Sequence, residues 1–253
     1  MSTRECPQRE REVSWLDPVR AALDDGPVTV FFRDDDAGWG DERLWALLDL
    51  FDRRSLPVDV AVIPAALHPA LAAELTVRAR AGGVHLHQHG WAHVNHEPVG
   101  RKCEFGPSRP YEAQAADVGR GQDLLRDAFG ALLDPVFTPP WNRCTSDTAA
   151  ALAAHGVAIL SRDSTAAPLP GPLPEVPITV DWFGSGKGVR WTPHELADRL
   201  AAAVRSGRPV GIMLHHAVTD PGELAAVGAL LALLALHPHV RAIPLATLAA
   251  VPG

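Results

Sequence analysis

Short apolar runs alternate with longer stretches of helical periodicity along most of this chain, and the alternation limits the folds that it can adopt. Such a pattern is typical of βα units built on a mainly parallel sheet. The candidate strands are 28–33, 58–63, 84–88, 136–138, 158–161, 209–214 and 240–243. The candidate helices are 42–54, 69–81, 113–129, 146–155, 193–206 and 221–236. About seven such units predict an α/β barrel.

The length of 253 residues suits one domain of this kind. We expect a single barrel domain over residues 27–250, preceded by a segment, 1–26, that is partly helical or flexible. Two stretches break the alternation, 96–110 and 164–177. Loops of this length in a compact domain are usually functional or mobile.

Composition narrows the range of partners. A formal charge of −7 argues against nucleic acid, whose phosphates require a concentrated positive surface. The three cysteines form no CxxC pair, and the polar N-terminus lacks the apolar core of a signal peptide, so we expect a cytoplasmic protein. The apolar stretch 224–236 is shorter than the roughly 20 residues of a membrane span and predicts a buried helix. The oligomeric state stays open.

An acidic triplet, Asp34, Asp35 and Asp36, directly follows the first candidate strand. Catalytic residues of α/β barrels gather at the carboxyl ends of strands, so this position favours an active site. The alternative is a solvated loop in which Asp36 caps the next helix.

Histidines are concentrated around the end of the third candidate strand, where five occur between residues 85 and 96. His89 and His93 can converge on one ion through their imidazole nitrogens, the second of them displaced by a short turn. Two histidines and a carboxylate form a three-ligand metal site that leaves positions open for water and substrate. The sequence therefore predicts a metal-dependent hydrolase.

Two further clusters follow later strands. Pro140, Trp141 and Asn142 form a rigid polar turn that can line a substrate site, although an ordinary strand exit would look the same. His215 and His216 end an apolar strand, where a general acid can be mounted.

In this order, the four clusters resemble the motifs of the polysaccharide deacetylase family, the NodB-like carbohydrate esterases of family 4, whose fold is a distorted (β/α) barrel. The family motif TFDDG resembles FRDDD at 32–36, and H-(S/T)-x-x-H resembles HGWAH at 89–93. RxPxG resembles TPPWN at 138–142, and LxH resembles MLH at 213–215. The resemblance spans residues 28–216.

The resemblance implies roles for these residues. It makes Asp34 the base that activates water and His215 the acid that protonates the leaving amine, with His216 as the fallback acid. The ligands of Zn²⁺, or of another divalent metal, would be Asp35, His89 and His93. A backbone N–H near Pro140 or Trp141 would stabilise the oxyanion.

The sequence departs from the family pattern at three positions. Gly90 replaces Ser/Thr, Asp36 replaces Gly, and Thr138 stands where the family has an arginine that steadies the base. The substitutes for that arginine are Arg33, Arg143 or Arg162, and the fourth motif is either 162–163 or 181–182.

The predicted activity is removal of an acyl group, expected to be N-acetyl, from a carbohydrate or related small amide. Trp39 and Trp91 could stack on a sugar ring or simply pack. Two alternatives stay open: a non-catalytic barrel that binds a metal or ligand, and a C–N hydrolase of cyclic amides.

Overall fold

A curled parallel sheet forms the frame of the protein, whose computed structural model describes residues 14–171, 173–184 and 189–248. Within those residues the strands are β1 (Val28–Ala37), β2 (Val58–Val62), β3 (Val84–His89), β4 (Leu133–Thr138), β5 (Ile159–Leu160), β6 (Val180–Asp181), β7 (Val210–Leu214) and β8 (Val240–Ala242). The helices are α1 (Asp17–Asp24), α2 (Asp41–Asp52), α3 (Pro69–Ala81), α4 (Tyr111–Phe129), α5 (Ser146–Ala154), α6 (Pro193–Arg205), α7 (Pro221–Leu236) and α8 (Leu245–Leu248).

The strand order is β5-β4-β3-β2-β1-β7-β6, and β8 pairs with the first residues of β1. Every pairing is parallel. Two isolated bridges, Leu160 to Glu175 and Asp163 to Ile178, tie the β5 side to the segment that leads into β6. The predicted α/β class and distorted (β/α) barrel are therefore confirmed.

The predicted strands and helices all form, but β1 continues beyond its predicted end at residue 33 to Ala37. Helix α1 lies within the predicted N-terminal segment and packs on α6. Residues 1–13 of that segment, and residues 249–250 of the predicted domain, lie outside the described residues.

The helices begin where the sequence supplies caps. Thr192 and Asp220 each accept a hydrogen bond from the backbone N–H of the glutamate three residues later, whose carboxylate reaches back to the cap. The apolar stretch 224–236 lies in α7, whose leucines pack in the core. In the part of the chain that the structure describes, no helix combines the length and apolarity needed to cross a membrane.

Three apolar clusters of the described residues fill the fold and leave one end of the half-barrel polar. The larger core lies between the sheet and the helices. A smaller cluster fills the amino-terminal end of the interior: Phe31, Val136, Ile159, Ile178, Met213 and Leu245. The carboxyl ends of the strands carry the polar side chains, as the sequence position of the acidic triplet predicts.

Candidate metal centre and active site

Three side chains that could hold a metal ion converge at the carboxyl ends of β1 and β3. Asp36 Oδ1 lies 3.1 Å from His89 Nε2 and 3.2 Å from His93 Nε2. One ligand atom from each residue lies within 4.8 Å of the others. A carboxylate oxygen and two imidazole nitrogens are donors that Zn²⁺ accepts, and three ligands leave positions open. The residues present therefore fit a divalent cation.

The structure places Asp36, where the sequence analysis put Asp35, beside the two histidines. Strand alternation would point Asp36 away from the interior face shared by Arg33 and Asp35. The pairing of β1 with β2 is instead irregular between Asp34 and Ala37, and Asp36 has a φ of 74°. This left-handed conformation at a bulge turns the third carboxylate toward the histidines.

His89 is oriented by β4. Its Nδ1 lies 3.0 Å from the carbonyl oxygen of Thr138, which can only accept, so Nδ1 carries the proton and Nε2 faces Asp36. A backbone acceptor of this kind fixes the tautomer of a metal-binding histidine. Burial opposes protonation, but the hydrogen bond to Asp36 and the nearby carboxylates raise the pKa of His89.

His93 is held between two indole rings. Its ring centroid lies 4.8 Å from that of Trp39 and 4.4 Å from that of Trp141. Burial, together with the positive field of His89, lowers the pKa of His93 to about 4. A neutral imidazole at neutral pH has a lone pair available for a cation.

Asp35 is bound by a buried arginine on its own strand. Arg33 donates two parallel hydrogen bonds to the carboxylate, Nε to Oδ1 at 2.8 Å and Nη2 to Oδ2 at 2.9 Å. Nη1 donates to the hydroxyl of Ser161 and Nη2 to Oδ1 of Asn142. Burial would raise the pKa of Asp35, but the charges of Arg33, His89 and His215 lower it. Asp35 is thus held ionised at the edge of the candidate metal centre.

Of the three arginines that could steady the base, Arg33 alone is seen bonded to a carboxylate of the triplet. Arg162 forms an ion pair with Glu175, at 2.6 Å. Arg143 donates to the carbonyl oxygen of Lys102.

Asp34, assigned as the base from the sequence, lies on the opposite face of β1 and is fully buried. Its Oδ2 lies 2.5 Å from His216 Nδ1, and its Oδ1 accepts from the backbone N–H of His216 at 3.0 Å. His216 Nε2 in turn lies 2.7 Å from the carbonyl oxygen of Trp39. These two residues join β1, β7 and the Trp39 loop, and they are inaccessible to substrate.

His215 faces the opposite way from His216, into an open cavity of about 460 Å³. Its Nε2 lies 3.9 Å from Asp35 Oδ2, and its side chain is 25% exposed. Trp141, Asn142 and Asp181 also line this cavity. Asp35, His215 and the predicted substrate turn therefore meet at one end of the half-barrel, whereas Asp34 does not reach it.

The loop that carries His93 is held by Glu104, a buried residue that the sequence analysis did not single out. Its carboxylate accepts hydrogen bonds from the backbone N–H groups of Trp91, Ala92 and Val94. A Cβ at Gly90 would lie 2.2 Å from Glu104 Oε2, and Gly90 has a φ of 57°. The glycine in place of the family's Ser/Thr is thus required by this close approach.

The remaining predicted substrate residues divide into two groups. Trp141 and Asn142 line the cavity, and both have positive φ values, 56° and 57°. Trp91 instead packs on a third apolar cluster, which includes Phe105 and Phe137, and the guanidinium of Arg120 lies 3.9 Å from its ring centroid. Pro140 is buried and has no N–H, so only Trp141 of that pair can donate to an oxyanion.

Comparisons with known proteins agree with this geometry. The sequence profile of the polysaccharide deacetylase family matches residues 21–160, more than half of the chain. The chain belongs to the polysaccharide deacetylase family. Membership assigns it to a class of hydrolases that remove acetyl groups from carbohydrates. The resemblance drawn from the four motifs is confirmed.

Solved structures of the polysaccharide deacetylase class share the fold. A putative polysaccharide deacetylase from Mycobacterium smegmatis is 20% identical, with a TM-score of 0.68 over 94% of this chain and 92% of the other. A family 4 acetyl xylan esterase from Clostridium thermocellum, in complex with cobalt, is 16% identical, with a TM-score of 0.58 over 88% and 93%. A Streptococcus mutans CE4 esterase is 16% identical, with a TM-score of 0.59 over 86% and 85%. No curated protein sequence matches significantly.

Proposed function

We propose that this protein is a metal-dependent deacetylase that hydrolyses an N-acetyl group on a carbohydrate or a related small amide. The observation that carries the proposal is the convergence of Asp36, His89 and His93 beside Asp35 and His215. The relative crystallised with cobalt supports a divalent metal in this fold. Zinc is the cation that best suits one carboxylate and two imidazoles.

The proposed roles shift the acidic triplet by one residue from the sequence assignment. Asp36, His89 and His93 hold the cation, and Asp35 is the base. A bound divalent cation polarises the carbonyl group and makes water more acidic. Arg33 keeps the Asp35 carboxylate fixed and ionised, ready to accept the proton of the attacking water.

Two further groups stabilise the oxyanion and protonate the leaving amine. As water adds to the carbonyl carbon, the backbone N–H of Trp141 donates to the developing oxyanion. When the C–N bond breaks, His215 donates its proton to the amine nitrogen, and acetate leaves. His215 suits this role because its side chain reaches the cavity, whereas His216 is enclosed by Asp34 and Trp39.

The non-catalytic alternative rests on the missing arginine of the third motif. Arg33 makes the contact expected of that arginine, so the structural observation favours an enzyme. Hydrolysis of cyclic amides would use the same groups, and a substrate panel separates the two activities. The panel should contain N-acetylglucosamine oligomers, a cyclic ureide and, because one relative is an acetyl xylan esterase, O-acetylated xylan.

The assignment of the ligand to Asp36 and of the base to Asp35 is tested by comparing substitutions at the three aspartates. Metal content is measured by elemental analysis after purification without chelators. We expect about one divalent ion per chain in the wild type and its loss in Asp36→Asn. Asp35→Asn should keep the metal but lower acetate release by about 10²–10⁴-fold. Asp34→Asn is the matched control, which should lose stability while keeping the metal. Loss of metal in Asp35→Asn, with retention in Asp36→Asn, would overturn the assignment.

A further inference from the structure

The cavity beside His215 extends well beyond the metal centre. Its volume of about 460 Å³ is in the range of ligand sites. Trp141 and Asn142 form the wall near the metal centre, and Arg101 and Arg143 line the same cavity. A substrate whose acyl group reaches Asp35 therefore has its remaining part within reach of these two guanidinium groups.

Three cations cluster around Trp141. Arg143 Nη1 donates to the carbonyl oxygen of Lys102 at 2.7 Å, which holds the guanidinium beside segment 101–102. Lys102 Nζ lies 6.0 Å from the centroid of the Trp141 ring. Burial and the nearby charge of Arg101 lower the pKa of Arg143, as expected for two cations that repel each other.

None of these cations forms an ion pair among the described residues, although the charge of Asp163 acts on Arg143 from a greater distance. The ion pairs found there include neither Arg101 nor Lys102 nor Arg143. Two carboxylates line the same cavity, but each accepts a backbone N–H of its own loop, Asp163 from Thr165 and Asp181 from Phe183.

Three arginines (Arg101, Arg143 and Arg199) and two aspartates line the cavity, so its lining has a small excess of positive charge, whereas the whole chain has a formal charge of −7. A cavity lined by unpaired cations concentrates ligands of the opposite sign. Guanidinium groups match the planar geometry of carboxylate and phosphate oxygens and bind both through paired hydrogen bonds.

From this we infer that the substrate carries an oxyanion, a carboxylate or a phosphate, which Arg101 and Arg143 bind while the acyl group lies at Asp35 and His215. The inference rests on the proposed deacetylase function and specifies its substrate class. Lys102 adds positive charge on the Trp141 side. The arginine pair determines specificity and takes no part in the proton transfers.

The test compares acetate release from N-acetylglucosamine, N-acetylglucosamine 6-phosphate and N-acetylmuramic acid, which are neutral, phosphorylated and carboxylated. The three substrates are assayed on the wild type, on Arg101→Gln/Arg143→Gln and on Arg80→Gln/Arg208→Gln. The last variant has the same net charge as the second, but its two exposed arginines lie on α3 and before β7, outside the cavity lining.

We expect kcat/KM at least tenfold higher for one or both anionic substrates than for the neutral sugar, chiefly through KM. The ratio of kcat/KM for the anionic substrate to that for the neutral sugar should fall toward one in Arg101→Gln/Arg143→Gln and stay unchanged in Arg80→Gln/Arg208→Gln. The phosphate and carboxylate arms show which oxyanion is preferred. Equal rates for neutral and anionic substrates in the wild type, or the same fall in both variants, would overturn the inference.

Calorimetry separates failure of this inference from failure of the proposed function. The probes are glucosamine, glucosamine 6-phosphate and muramic acid, which contain no acetyl group to hydrolyse. If no sugar is deacetylated but the two probes that carry an oxyanion bind at least tenfold tighter than glucosamine, and lose that advantage in Arg101→Gln/Arg143→Gln, the oxyanion site stands and deacetylation fails. Deacetylation without any anion preference supports the proposed function and overturns the oxyanion site.

Discussion

Replacing Arg33 with methionine should destabilise the fold strongly, because it leaves the buried carboxylate of Asp35 without a positively charged partner. Both partners are almost fully enclosed, with side-chain exposures of 0% for Arg33 and 3% for Asp35. Both hydrogen bonds that Asp35 receives from the described residues come from Arg33. Removing one partner of such a pair costs about 3–5 kcal/mol. That is a large fraction of the roughly 5–15 kcal/mol by which a typical domain is stable.

The loss can be measured by urea denaturation in the presence of a chelator, so that metal binding makes no contribution. Arg162→Met is the matched control. Arg162 is also buried, but its partner Glu175 is 22% exposed and still accepts the backbone N–H of Leu169. We therefore expect a smaller loss there, of about 1–2 kcal/mol.

A double-mutant cycle identifies the cause of the loss. Asp35→Leu added to Arg33→Met removes the unpaired carboxylate, so the double variant should be more stable than Arg33→Met alone. A coupling energy of about 2–3 kcal/mol is expected for two groups in direct contact. The reasoning is refuted if Arg33→Met costs no more than Arg162→Met, or if the two substitutions in the pair are additive.

Two other substitutions probe the loop that carries His93 and a buried carboxyl group on β2. Glu104→Gln replaces an acceptor of three backbone N–H groups, so the affinity for Co²⁺, followed by its visible spectrum, should fall about 10–100-fold. Glu97→Gln is the control and should leave that affinity unchanged, because the half-buried Glu97 carboxylate bonds Ser108 and not the His93 loop. Burial raises the pKa of Asp59 to about 7 from an ordinary 3.8, so its folded form binds a proton more tightly than the unfolded chain. The stability that this proton contributes is complete below pH 3.8 and is lost as the pH rises through 7, by up to about 4 kcal/mol. The free energy of unfolding of Asp59→Asn, measured by urea denaturation, should lack this decline. Parallel pH curves for the wild type and the variant would contradict the prediction.

Most strands of the described residues were predictable because each carries its own local signal, whereas the two-residue strand β6 was not predicted. β2 and β7 are buried at every residue, and both are apolar along their whole length except at Asp59 of β2. The helices α6 and α7 begin at a threonine and an aspartate followed by proline and glutamate. These are local patterns, and tertiary packing reinforces them.

The roles within the acidic triplet were not predictable in the same way. Alternation along a regular strand assigns Asp34 and Asp36 to one face and Asp35 to the other. The bulge and the positive φ of Asp36 break that rule, and a non-glycine residue gives no sequence signal for a left-handed conformation. Glu104 and Ser161 were missed for a different reason, since each acts through contacts between segments that only the folded chain brings together.

The position of the arginine explains how the chain can depart from the family's third motif and still keep its site. Arg33 and Asp35 are two residues apart on one strand, so alternation places both side chains in the interior, where they pair. The pair therefore needs no arginine from β4. Thr138, which takes that place, bonds His87 Nε2 through its hydroxyl and orients His89 through its carbonyl oxygen. Strand β4, which supplies no arginine to Asp35, thus supports the histidines of β3 beside the candidate metal centre.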